Sequence, residues 1–128
     1  MTFYEEKIKE IKDSYFSNDK QIETVIGIKR HIDNHYETAI NLDTLSQTEF
    51  VSKFHLLRLF KKYYGQTPRQ YLIDKRIEKS KIFLTNGMSV TETCFAVGFE
   101  SVGSFSTLFK TRIGKSPSIY QKEQFSRS

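Results

Sequence analysis

Phe50-Val51-Ser52-Lys53-Phe54-His55-Leu56-Leu57-Arg58-Leu59-Phe60-Lys61-Lys62-Tyr63-Tyr64-Gly65-Gln66-Thr67-Pro68 decides the fold, because it returns 49 residues later as Phe99-Glu100-Ser101-Val102-Gly103-Ser104-Phe105-Ser106-Thr107-Leu108-Phe109-Lys110-Thr111-Arg112-Ile113-Gly114-Lys115-Ser116-Pro117. Widened to residues 41–71, the same shift adds Thr44 with Thr93 and Tyr71 with Tyr120, giving nine identities where chance gives about two. A period of this size marks a duplicated unit.

The shared residues have local meaning. Ser52 and Ser101 stand as N-caps before apolar patterns of helical period, because a serine hydroxyl accepts from an N–H that the first turn leaves unpaired. Gly65 and Gly114 follow the last periodic residue, where a left-handed stop suits glycine. Thr67-Pro68 and Ser116-Pro117 then open new helices, with proline at the first helical position. Each unit reads as a short helix, a turn, a longer helix, a glycine stop and a new start. Ser89-Val90-Thr91-Glu92 adds a capping box before the second short helix.

The expected architecture is all-α, about seven helices: near 22–36, short ones near 42–48 and 90–97, longer ones near 52–64 and 101–113, a connecting helix near 68–85, and a last one near 117–125. It divides into a leader or linker remnant (1–21), a first lobe (22–67), the connecting helix (68–85) and a second lobe (86–125). Ile8, Ile11 and Tyr15 keep helical spacing in the leader, which is expected to dock loosely.

On the first long helix, Leu56, Leu59, Phe60 and Tyr63 form one stripe at 100° per residue, the core face. Phe54, Leu57, Arg58 and Lys61 fall opposite. Apolar groups beside cations there have two readings: contacts to thymine methyls and guanine edges in a major groove, or Phe54 and Leu57 packed under a neighbouring helix. On the second long helix Phe105, Leu108 and Phe109 face the core, with Gly103, Ser106, Thr107 and Lys110 opposite. Those small groups admit a close phosphate chain but offer few long donors for bases.

Composition agrees with a globular domain: 38% hydrophobic and 27% charged residues exclude a disordered or collagen-like chain. No apolar run approaches membrane-spanning length, so no membrane partner is expected. The net charge of +5 is uneven, −2 over residues 1–39 and +7 over residues 40–128, so the excess that attracts an anionic partner lies in the repeated part. The opening residues lack a secretory signal and the single Cys94 makes no internal disulfide, which points to the cytoplasm.

With the repeat in place, the second unit resembles the DNA-binding domain of AraC/XylS-type bacterial regulators: Ser89-Val90-Thr91-Glu92, Phe95-Ala96-Val97-Gly98-Phe99, Phe105, Phe109-Lys110, Gly114 and Ser116-Pro117 follow that family's signature in order and spacing. Leu57-Arg58-Leu59-Phe60-Lys61, Gly65, Thr67-Pro68, Tyr71 and Arg76 resemble its first half, and the similarity covers roughly residues 22–123. The resemblance implies two helix-turn-helix lobes whose long helices enter successive major-groove segments of a promoter or operator. Bases would meet Phe54, His55, Leu57, Arg58, Val102, Gly103, Ser106 and Thr107; the backbone would meet Ser52, Lys53, Lys61, Lys62, Ser101, Lys110, Arg112 and Lys115. It also implies contact with RNA polymerase and a monomer able to bind DNA at the nucleoid, with a domain missing from this chain as a possible route to dimerisation. Three positions depart from the family's habit: Thr107 for an arginine, Cys94 for alanine and Thr93 for an isoleucine-like residue. A connecting helix of about 17 residues, roughly 25 Å long, suits lobes one DNA turn apart.

Other chemistry is not indicated. His31 and His35 have an i, i+4 spacing known from zinc sites, but the stripe Ile22, Val25, Ile28, Ile32, Tyr36 puts His31 on the solvent side and no third ligand is evident. No metal and no cofactor are therefore expected. Cys94 reads as a small core residue, and Arg76 as a partly buried cation held by an ion pair. No phosphate-binding glycine loop, nucleophile elbow or acid/base pair is present, so no enzyme is expected. The rival reading is a helical adaptor whose basic surface binds an acidic protein, such as RNA polymerase, without reading DNA.

Overall fold

The computed structural model describes residues 2–127, apart from the side chains of residues 9–17. The described residues form seven helices and no strand: α1 (Phe3–His35), α2 (Leu42–Thr48), α3 (Lys53–Tyr64), α4 (Pro68–Thr85), α5 (Val90–Ala96), α6 (Val102–Ile113) and α7 (Pro117–Ser126). The all-helical expectation holds, and α2 to α7 lie within about a residue of where periodicity and caps put them. The exception is α1, which starts at Phe3 instead of near residue 22. Its start is a capping box that the sequence reading missed: the Glu5 N–H donates to Thr2 Oγ1 at 3.3 Å and the Thr2 N–H donates to Glu5 Oε2 at 3.2 Å. Ile8 is exposed there. Ile11 and Tyr15 lie outside the described side chains.

The chain forms two compact units, Met1–Arg30 with Leu42–Pro68, and His31–Asn41 with Arg69–Ser128. In the first, the buried apolar residues are Val25 and Ile28 from α1, Leu45 from α2, and Leu56, Leu59 and Phe60 from α3. Phe60 stacks on Tyr64 with centroids 4.8 Å apart. Tyr63, expected on the core face, sits at its wet edge: it is 38% exposed and its hydroxyl donates to Gln21 Oε1 at 3.2 Å. A tyrosine can take that place because its ring covers apolar surface while its hydroxyl stays solvated.

The second unit packs Ile77 and Leu84 of α4, Cys94 of α5, Val97 and Phe99 of the turn, and Phe105 and Phe109 of α6 into one cluster. Phe99, Phe105, Phe109 and Tyr120 form a run of ring contacts with centroids 5.3, 5.8 and 5.5 Å apart. Gln121 of α7 donates to the carbonyls of Leu84 and Met88 at 3.0 and 2.7 Å, tying α7 to the last turn of α4, where Leu84 also accepts from the Gly87 N–H, and to the loop after it. Arg76 departs from expectation. Its partners are the Tyr36 and Thr38 carbonyls, at 2.7 and 2.8 Å, and the face of Phe99, not a carboxylate. The planar guanidinium fork reaches two carbonyls on either side of Glu37, beyond the end of α1, while burial and the neighbouring Arg69 lower its pKa from the usual value. Cys94 is fully buried and burial raises its thiol pKa, as suits a core residue.

The repeat proves uneven. The long helices α3 and α6 match at a shift of 49, with Ser52 and Ser101 accepting from the His55 and Ser104 N–H groups at 3.1 and 3.2 Å. The short helices match at 48, since α2 begins at Leu42 and α5 at Val90. The turn bonds show where the extra residue lies. Phe50 N–H to Gln47 and Val51 N–H to Ser46 in the first unit correspond to Gly98 N–H to Phe95 and Phe99 N–H to Cys94 in the second. Phe50 therefore occupies the place of Gly98, and Val51 that of Phe99. The identities Thr44 with Thr93 and Phe50 with Phe99 do not mark equivalent positions.

Candidate nucleic-acid interface

Each long helix buries one face and leaves the other outward. On α3, Leu56 and Phe60 are fully buried and Leu59 nearly so, while Phe54 is 75% exposed and Arg58 and Lys61 are exposed. The reading that hides Phe54 under a neighbouring helix is thus overturned, because no helix covers that ring. Leu57 and His55 are half-buried at the margin of the face. Ser52 caps the helix, and Lys53 pairs with Asp43 at 3.4 Å. Lys62 donates to Gln21 at 3.4 Å and lies 5.3 Å from the Tyr63 ring centroid. The twelve residues of α3 hold four lysines and arginines and no carboxylate.

On α6, Gly103, Thr107 and Lys110 are exposed, Ser106 is half-buried, and Ser101 caps the helix. Val102 packs against the core cluster instead of standing fully outward. A Cβ added at Gly103 would meet nothing within 4 Å, so its own fold does not require glycine there. Two cations of this unit are already paired, Arg112 with Asp74 and Lys115 with Glu123. Exposed pairs of this kind are weak and can exchange partners. Among the described residues Arg58, Lys61 and Lys110 form no ion pair.

A short helix, a tight turn and a longer helix with an outward face free of carboxylates, present in both units, is the arrangement of helix-turn-helix proteins that place the longer helix in a DNA groove. A family model described as a helix-turn-helix domain matches residues 45–123. The chain belongs to the AraC/XylS family of helix-turn-helix transcription regulators. An uncharacterized HTH-type transcriptional regulator from the cgkA 5′ region of Pseudoalteromonas carrageenovora is 36% identical over 92 residues, which are 72% of this chain and 55% of that protein, so the chain spans about half of it. The HTH-type transcriptional activator AarP of Providencia stuartii is 30% identical over 111 residues, 86% of this chain and 79% of AarP. The DNA-binding domain of AdpA, a global transcriptional factor crystallised with a target DNA, superposes with a TM-score of 0.76 at 25% identity, covering 80% of this chain and 94% of that domain. The fold is therefore that of an AraC-type DNA-binding domain, a class of regulator and not of enzyme.

Two further expectations concern what surrounds this AraC-type domain. The rings of His31 and His35 lie 4.7 Å apart, and the described residues contain no group of three or more His, Cys, Asp or Glu side chains able to hold a metal. None of the described helices is long and apolar enough to cross a membrane. The residue that sequence reasoning missed is Phe50. Its only signal in the sequence is a missing glycine: the first turn has none between Leu45 and Ser52, and Phe50-Val51 stands where the second unit has Gly98-Phe99.

Proposed function

We propose that the chain is a sequence-specific regulator that sets α3 and α6 into two adjacent major-groove segments of a promoter, with α3 reading bases and α6 mainly holding the backbone. The outward face of α3 carries this reading: an exposed Phe54 beside unpaired Arg58 and Lys61, opposite the buried Leu56, Leu59 and Phe60. Arg58 has the fork that matches guanine O6 and N7, and Phe54 and Leu57 suit thymine methyls. The face of α6 offers only short groups, with Lys110 for phosphate. Two lobes in one chain allow binding as a monomer at a site without a palindrome. The likeness to AarP, by name an activator, supports activation through contact with RNA polymerase, in the cytoplasm at the nucleoid.

The test is titration of the chain against a mixed-sequence duplex across a salt series. If six to eight phosphates are neutralised, log K should fall against log salt with a slope of about −5 to −7. A slope near zero would assign the basic surface to an acidic protein and remove DNA from the account.

A further inference from the structure

Among the described residues Phe50 is the one non-glycine with a left-handed backbone, φ 57°, and its ring is 90% exposed. A bulky side chain is disfavoured there because its Cβ crowds the following carbonyl. Exposure means that the ring buries almost nothing in exchange, and the turn needs only what Gly98, φ 102°, supplies in the other unit. A glycine or asparagine would hold the turn with less strain. A strained, exposed aromatic that its own fold does not use is an observation from which function is inferred.

Its surroundings indicate the partner. Phe50 stands two residues before the cap of α3, and Phe54, 75% exposed, lies just beyond that cap. Between and after them come Lys53, Arg58, Lys61 and Lys62 with no carboxylate on the helix. Like charge disfavours a second copy of this surface. Apolar rings set among cations fit a polyanion with apolar points on its edges, which describes thymine 5-methyl groups in duplex DNA.

We infer that Phe50 is a specificity-determining DNA contact, its strained turn carrying the ring to a thymine methyl beside the bases read by α3. This rests on the DNA-reading role proposed above. The experiment selects a preferred duplex with the wild-type chain, then replaces each thymine singly by uracil. One uracil outside the positions affected by Phe54→Ala and Arg58→Ala should weaken wild-type binding about fourfold, the worth of one buried methyl. Phe50→Gly and Phe50→Asn should melt at or a few degrees above wild type, lose a similar factor on the parent duplex, and no longer respond to that uracil. Phe50→Leu should keep the response. Unchanged binding and unchanged uracil response in Phe50→Gly would overturn the inference while leaving the DNA-reading role standing. So would a loss of self-association without any loss of DNA binding, which would make Phe50 a protein contact. A lower melting temperature in both Phe50→Gly and Phe50→Asn would show that the ring serves its own turn and would also overturn it. If the wild-type chain selects no duplex, the underlying DNA-reading role fails, and this inference with it.

Discussion

The turn before α3 and the turn before α6 solve one geometric problem with different residues. In the second unit the left-handed position is Gly98, where an added Cβ would come within 2.8 Å of the Glu37 carbonyl and 3.0 Å of the Arg76 guanidinium. In the first it is Phe50, whose side chain lies in solvent. The second turn is enclosed by its own unit and carries one residue more, so that Phe99 is buried while Val51, its counterpart, is half-buried. Tight enclosure fixes residue identity for packing reasons. An open turn tolerates a residue that the fold alone would not select.

The long helices should break this pattern of difference. Phe60 and Phe109 are equivalent at a shift of 49, and both are fully buried. Phe60→Ala and Phe109→Ala should each cost about 3–5 kcal/mol, the usual range for emptying a core phenylalanine site. Urea unfolding checks this; a cost under about 1 kcal/mol for either would mean that its unit does not depend on that helix.

At the turns the difference should be large. Gly98→Ala forces a Cβ into a left-handed residue against a backbone carbonyl that has little room to retreat, and should destabilise by about 2–3 kcal/mol. Gly65→Ala, also at positive φ but with nothing within 4 Å, should cost less, about 1 kcal/mol. Equal losses would mean that backbone strain alone, without enclosure, sets the price of both sites.

How far the fold could be read from sequence follows the same division. Caps and periodicity are local, so Ser52, Ser101, Gly65, Gly114 and both proline starts located six helices closely. What escaped depended on space. Aligning Phe50 with Phe99 was an identity of letters, and only the turn hydrogen bonds reveal that the short helices match at 48. Arg76 was recognised as a buried cation, yet carbonyl partners on a loop some 40 residues earlier leave no mark in composition. The outward face of α3 was legible because it is a periodic property; whether a neighbouring helix covered Phe54 was not.

The outward faces give a comparison of binding. Arg58→Ala should weaken the preferred duplex by about 1–3 kcal/mol and relax one base position, with much smaller loss on unrelated sequence. Lys110→Ala should weaken all sequences alike and reduce the salt slope by about one. Site selection from a randomised duplex pool separates them. Should Thr107→Ala erase preference over half the site while Arg58→Ala leaves the motif intact, the division of work between α3 and α6 is the reverse of the one proposed.

The smallest expected effect lies in the short helices. At the shift of 48, Leu45 of α2 corresponds to Thr93 of α5, and both are buried. Leu45 has nothing to satisfy, whereas the Thr93 hydroxyl is enclosed without a hydrogen-bond partner among the described residues. Ser46, in the neighbouring position, avoids that cost by donating to the Asp43 carbonyl at 2.8 Å. Removing an unsatisfied hydroxyl while keeping the branched shape relieves a desolvation penalty, so Thr93→Val should stabilise by about 1 kcal/mol, or roughly 3–5 °C in a chain of this size. Thr93→Ser keeps the hydroxyl and deletes the methyl, and should therefore destabilise by a similar amount. Opposite signs for the two variants in thermal unfolding are the expected result. If Thr93→Val melts lower than wild type, the hydroxyl has a partner in solution, such as a buried water, and the polar site in α5 stabilises the second unit as the apolar one in α2 stabilises the first.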